Sequence, residues 1–138
     1  TESQVKDILF MIDTSGSMSD KLVMAVYEEV RGAVRQWHEK LTGWVGFFDE
    51  NVKAPQPFID ETSFRRILPT GGGGTSYIPI FRYVFEKMEE NPPASIIILT
   101  DGYCDYPEEK IARGIPVLWI IANSDAQPPW GRVARIKS

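Results

Sequence analysis

Asp13-Thr14-Ser15-Gly16-Ser17 gathers one carboxylate and two hydroxyls directly behind the unbroken apolar run Ile8-Leu9-Phe10-Met11-Ile12. No base stands beside either serine, so nucleophilic chemistry is poorly served. The set suits a small hard cation instead, which takes oxygen ligands and keeps part of its water. Two further stretches offer oxygen in the same way. The run Thr70-Gly71-Gly72-Gly73-Gly74 leads into Thr75, and the apolar run Ile96-Ile97-Ile98-Leu99 ends in Thr100-Asp101-Gly102. Asp13, Ser15, Ser17, Thr75 and Asp101 together present oxygen alone, with no soft ligand to favour zinc or copper, so the expected ion is Mg2+ or Mn2+. A cation that sheds water reluctantly fits a few direct hydroxyl ligands with carboxylates acting through water, and leaves a position open. A carboxylate from another molecule in that position would make the ion the centre of an interface. Taken singly, each of the five residues is as well explained as a strand-end cap or a turn residue. Only their joint occurrence points to a site.

For these side chains to meet, the strands ending in Asp13 and Asp101 must be neighbours in one sheet, with the ligands at the carboxyl ends where strand order reverses. The rest of the chain supplies such a scaffold. Ser19 or Asp20 is a cap for a helix with apolar positions Val26, Val30, Ala33, Val34, Trp37 and Leu41, ended by Gly43. Gly43 to Asp49 is a second strand, turning at Glu50-Asn51 into Val52-Lys53-Ala54 as an antiparallel edge, a place that suits Pro55 and Pro57. Between Phe58 and Pro69 the pattern supports only a short helical turn near Glu61–Ile67. Ser76 is a cap and Pro79 a first-turn residue for a helix with Tyr77, Phe81, Val84, Phe85 and Met88 on one face. A buried strand up to Asp101, a short helix from Pro107 to Arg113 closed by Gly114, a buried strand from Pro116 to Ala122 and a last edge strand over Arg132–Ile136 follow. The order predicts an α/β fold in three α/β/α layers, doubly wound, with a mostly parallel sheet of about six strands and one antiparallel edge strand.

Composition narrows the partners. With 138 residues, 43% of them hydrophobic, the chain is long enough for one core and too short for two, so residues 1–138 are expected to form a single domain. A net charge of -4 provides no basic stripe to follow a phosphate backbone, and nucleic acid is not an expected partner. Asp13, Asp20, Asp49, Glu50, Asp101 and Asp105 fall at strand ends or in the loops after them, which makes one face attractive to cations. Of these, Asp20, Glu50 and Asp105 read mainly as solvated loop charge. Cys104 is the only cysteine, which fits a reducing, cytoplasmic setting, and its loop position makes it incidental to the site. Apolar runs are strand-length, far short of a membrane span. A first residue of Thr1 implies a piece excised from a longer protein. His38 is expected on a helix surface, without the second histidine of a zinc-peptidase motif.

Asp13-Thr14-Ser15-Gly16-Ser17 resembles the Asp-x-Ser-x-Ser signature of the metal-ion-dependent adhesion site (MIDAS) of von Willebrand factor type A (VWA) domains, with Thr75 and Asp101 similar to its second and third pieces. The resemblance covers essentially the whole chain. It implies a VWA or Rossmann-like fold and a metal that binds an acidic residue of a protein partner. It also implies direct ligation by Ser15 and Ser17, direct or water-mediated ligation by Thr75, and Asp13 and Asp101 acting mostly through water. Ser76 stands where many relatives carry an acidic residue, which leaves one charge fewer. More narrowly, Gly71 to Thr75, Thr100-Asp101-Gly102-Tyr103, Pro116-Val117-Leu118-Trp119 and Gly131-Arg132-Val133 resemble the bacterial VWA-like domain found behind a zinc-metallopeptidase-like domain. That likeness implies a peptidase-like domain in the same chain or an associated ATPase. Tyr77, Tyr103, Tyr106 and Trp130 are candidates to ring the site as exposed aromatics, with packing an equal alternative for each.

Rival chemistries miss particular atoms. A haloacid-dehalogenase-like phosphatase needs a second aspartate two residues after the first, where Ser15 stands. A P-loop needs a lysine after its glycines, where Thr75-Ser76 follows. Ser15 lacks the flanking glycines of a nucleophile elbow. The runner-up is metal-assisted phosphoryl transfer on a related α/β fold, which predicts Mg2+-dependent turnover of a phosphate ester.

Overall fold

The computed structural model describes residues 5–37 and 40–137, so the expectation for His38 lies outside the described residues. In chain order the elements are β1 (Val5–Asp13), α1 (Asp20–Gln36), β2 (Leu41–Phe48), β3 (Val52–Phe58), α2 (Glu61–Arg65), α3 (Ile78–Lys87), β4 (Ser95–Thr100), a 3-10 turn (Glu109–Ala112), β5 (Val117–Ala122) and β6 (Arg132–Ile136). They build one six-stranded sheet in the order β3-β2-β1-β4-β5-β6. Among the described residues only the β2–β3 pair is antiparallel. Strand order reverses between β1 and β4, which places the ends carrying Asp13 and Asp101 side by side, as the sequence requires.

The two-residue period of a strand explains why both faces of β1 are covered. Ile8, Phe10 and Ile12 pack with α1 residues Val26, Val30 and Val34 and with Phe64 of α2. Leu9 and Met11 face the other way, against Ile80, Phe81 and Val84 of α3 and Trp119 of β5. Helices therefore lie on both faces of the sheet. Among the described residues no helix is long and apolar enough to cross a membrane.

Several local expectations are corrected. Helix α1 stops at Gln36, with Trp37 as its C-cap, and Leu41 opens β2, so Gly43 lies inside a strand and does not end the helix. Leu41 and Trp37 happen to continue the helical spacing, but Leu41, Gly43 and Val45 already alternate inward at the period of a strand. Ser19, not Asp20, caps α1 by accepting the Leu22 N–H. At α3 the N-cap is Tyr77, not Ser76, and makes no side-chain cap bond; the Ser76 N–H donates to the Asp49 carbonyl. Phe85 is 47% exposed, not part of the buried face, and the Arg113 guanidinium sits 3.3 Å above its ring. The short helix after Pro107 is a 3-10 turn that the chain leaves through Arg113 in left-handed conformation. Of the four aromatics expected to ring the site, only Tyr103 is exposed, at 69%. Tyr77, Tyr106 and Trp130 pack edge-on or tilted around Trp119 instead.

Candidate metal site

At the end of β1 the chain turns at once. Asp13 is fully buried, and its Oδ1 accepts the Ser15 N–H at 2.8 Å, an Asx-type turn that reverses the backbone. The Met18 N–H donates to the Ser15 carbonyl, and Ser19 then starts α1. This tight path leaves the Ser15 and Ser17 hydroxyl oxygens 3.3 Å apart, Ser15 buried and Ser17 exposed. Thr14 faces the opposite way, its hydroxyl directed at the Phe48 carbonyl at 3.1 Å and the Thr70 carbonyl at 2.9 Å.

From the neighbouring strand, the Thr100 hydroxyl donates to Asp13 Oδ2 at 2.7 Å and accepts the Gly102 N–H. Asp101 follows, 6% exposed, its Oδ1 accepting the Tyr103 N–H and its carbonyl accepting the Ser124 hydroxyl. Its carboxylate is close enough to Asp13 for their like charges to repel.

The glycine loop is held in place by acids that the sequence reading treated as a face and not as fasteners. The Gly73 N–H donates to Asp49 Oδ2 and the Gly74 N–H to Glu50 Oε1, both at 3.1 Å. The Gly16 N–H donates to the Gly73 carbonyl at 2.8 Å. Thr75 is half-buried, and its carbonyl accepts the Cys104 thiol at 3.3 Å. Asp13, Ser15 and Ser17 are thus joined directly, Asp101 adjoins them behind Thr100, and Thr75 is fastened to the same end through its loop. Among the described residues no hydrogen bond links the Thr75 side chain to the other four. Cys104 is therefore a structural contact of Thr75, and burial pushes its thiol up, away from the thiolate a ligand would need.

The hydrogen-bonding roles of Thr100 and Tyr77 behind Asp13 were missed. Thr100 was legible only as the residue before an aspartate, and Tyr77 as an apolar helix position or an exposed aromatic on the rim, whereas it reaches the cluster from the buried side through Thr100. The Asp49-Glu50-Asn51 turn did carry a signal, since an aspartate that accepts the N–H two residues on is a common strand-end device.

Burial raises the Asp13 carboxyl above its ordinary range; the hydrogen bonds from Ser15 and Thr100 oppose the shift, and the Asp101 charge adds to it. Asp49 is held low, chiefly by the Asn51 N–H, with Gly73 adding to it. For Asp13 the folded state grips the proton more tightly than the unfolded chain does. Its contribution to stability is full below the unfolded value of about 3.9 and is lost as pH rises through the folded value. In EDTA, Asp13→Asn is expected to melt above wild type at neutral pH, with the gap closing as pH falls toward that unfolded value. A gap that ignores pH would remove Asp13 ionisation as its cause.

The described residues pair no Lys or Arg with Asp13 or Asp101. Asp13 and Asp101, with no basic side chain paired to either among the described residues, and the Ser15 and Ser17 hydroxyls 3.3 Å apart offer oxygen alone, a donor chemistry that fits Mg2+ or Mn2+.

Comparison with known proteins agrees with this architecture. A family model described as VWA-like domain (DUF2201) matches residues 8–137. Among solved structures, a von Willebrand factor type A protein from Catenulispora acidiphila aligns with a TM-score of 0.68 at 17% identity, over 100% of this chain and 40% of that one. The conserved hypothetical protein BatB from Bacteroides thetaiotaomicron aligns at 0.63 and 16% identity, over 86% of this chain and 66% of that one. Proximal thread matrix protein 1 from the mussel byssus aligns at 0.68 and 18% identity, over 99% and 45%. The chain thus spans less than two thirds of each of these proteins, and at such identities the likeness is one of fold. No curated protein matches by sequence.

Proposed function

The chain belongs to the VWA-like domain family (DUF2201), and from that premise we propose that it is a metal-ion-dependent protein-binding module. Mg2+ or Mn2+ would be held by Asp13, Ser15, Ser17, Thr75 and Asp101, and a protein partner would supply an acidic residue to the open position. The observation that carries this reading is the charge imbalance at the β1–β4 seam: buried Asp13 beside Asp101, with no basic side chain among the described residues paired to either. Burying like charges is costly, and a divalent ion removes that cost. When bound, the ion supplies an electrophilic centre that a carboxylate can satisfy. The protein's own part is to orient the donors: Ser15 and Thr100 fix both oxygens of Asp13, and the Asp49 and Glu50 side chains hold the loop that carries Thr75. The reading carries with it a cytoplasmic setting, supported only by the unpaired Cys104.

Selective binding to the native state must raise the melting temperature. At a tenfold excess over the dissociation constant, Mg2+ is expected to add about 1.4 kcal/mol, roughly 3–6 °C for a chain of this size. Ser15→Ala and Asp101→Ala should abolish the rise. Melting curves of wild type that coincide in EDTA and in millimolar Mg2+ would count decisively against the site.

A further inference from the structure

Tyr77 is an unusual N-cap. It gives α3 no side-chain cap bond, and its ring is fully buried among Phe48, Tyr106 and Trp119, yet its hydroxyl stands 3.0 Å from Thr100 Oγ1. Thr100 is also fully buried, and its hydroxyl has a single proton to give. An ionised Asp13 accepts and cannot donate, so that proton goes to Asp13 Oδ2 at 2.7 Å. The contact between Tyr77 and Thr100 then has only one workable polarity: the phenol donates to the threonine. Thr100 Oγ1 also receives the Gly102 N–H at 3.2 Å, the residue just after Asp101. The Tyr106 hydroxyl, packed beside Tyr77, spends its proton on the Gly102 carbonyl at 2.9 Å. Thr100 is therefore saturated, with two donors received and one proton aimed at Asp13.

From this geometry we infer that Tyr77 is a positioning residue for the metal site, acting through Thr100 to fix the rotamer and facing oxygen of Asp13. The inference rests on the metal-binding reading above and deepens it by naming the support behind the ligands. Partners that orient a ligand in this way are commonly worth 10- to 100-fold in metal affinity. Two residues before Tyr77 lies Thr75, so the same anchor fixes the chain just after the glycine loop relative to β4. A hydroxyl-only deletion separates this role from packing, because Tyr77→Phe keeps the ring and every aromatic contact.

The test titrates the 138-residue chain with Mn2+ alone, following free Mn2+ by electron paramagnetic resonance. Tyr77→Phe is expected to weaken binding about tenfold, and Thr100→Val, which removes the donor to Asp13 itself, by up to about 100-fold. Thr100→Ser keeps the hydroxyl and should bind like wild type. In the double variant Tyr77→Phe/Thr100→Val the losses should not add, since the phenol acts only through the threonine. Wild-type affinity in Tyr77→Phe, or fully additive losses, would overturn the inference and leave the metal reading standing. A wild type that takes up no Mn2+ would overturn both.

Discussion

Gly43→Ala is expected to cost the fold about 3–5 kcal/mol. Gly43 sits in β2 opposite Ile8 of β1, where the register shifts between Val5 and Ile8. Asp7, in that interval, has a φ of 62°, a left-handed backbone that pushes the strand toward its neighbour. A Cβ on Gly43 would lie 1.9 Å from the Ile8 carbonyl oxygen and 2.7 Å from its nitrogen. These are main-chain atoms of an inner strand, with no rotamer to move. The substitution must separate β1 from β2 or straighten the bulge, and either loosens Ile8 from the core. Chemical denaturation should show the midpoint falling with little change in slope. A loss below about 1 kcal/mol would mean that the bulge is soft and absorbs the methyl group.

Gly71→Ala should act mainly on the site. Gly71 has a φ of 152°, a conformation side chains rarely adopt, and its Cβ would lie 1.8 Å from Thr14 Oγ1. Thr14 is β-branched and buried, and its hydroxyl links the β1 turn to the Thr70 carbonyl. Displacing it removes one of the ties between the glycine loop and the Asp13–Ser17 turn, leaving the Gly16–Gly73 hydrogen bond to carry the join, and shifts the loop that carries Thr75. Mn2+ affinity is expected to fall about 100-fold, with a stability loss of about 1–3 kcal/mol. Gly72→Ala is the control. Its φ of 140° carries a similar backbone penalty, but nothing lies within 4 Å of the added carbon. The difference between the two variants isolates the contact with Thr14. Equal affinities for wild type and Gly71→Ala would show that the loop's seat on Thr14 has no bearing on metal binding.

Much of this was legible beforehand because periodicity and site chemistry reinforce each other. Two apolar runs, each ending in an aspartate, announce inner parallel strands, and the alternation of strands and helices fixes which ends they share. Pro55 and Pro57 marked the antiparallel edge, and β3 runs through both. The boundaries were less legible. Leu41 satisfies a helical and a strand period alike, and the winner is decided by its pairing with Val5, a contact across many residues that no local window contains. Tyr77 and Phe85 show the same limit. Both fit an apolar helix face, but one is sealed under Trp119 and the other looks outward beneath Arg113. Among the candidate site residues, types and spacing nominated five oxygen-bearing side chains, of which the fold joins Asp13, Ser15 and Ser17 directly. The groups behind them, Thr100, Tyr77 and Glu50, could not be found that way, because a supporting hydrogen bond has no composition of its own; Asp49 alone carried a turn signal.

The hydrogen bond from Thr100 to Asp13 joins residues 87 positions apart. During synthesis at roughly 5–20 residues per second, the first strand therefore waits on the order of ten seconds for the second. Until then its flank toward β4 has no hydrogen-bonding neighbour, and a nascent chain has the serine turn but lacks the second aspartate. Uptake of an ion by the complete donor set would accordingly report that translation has passed residue 101 and that the two halves of the chain have met.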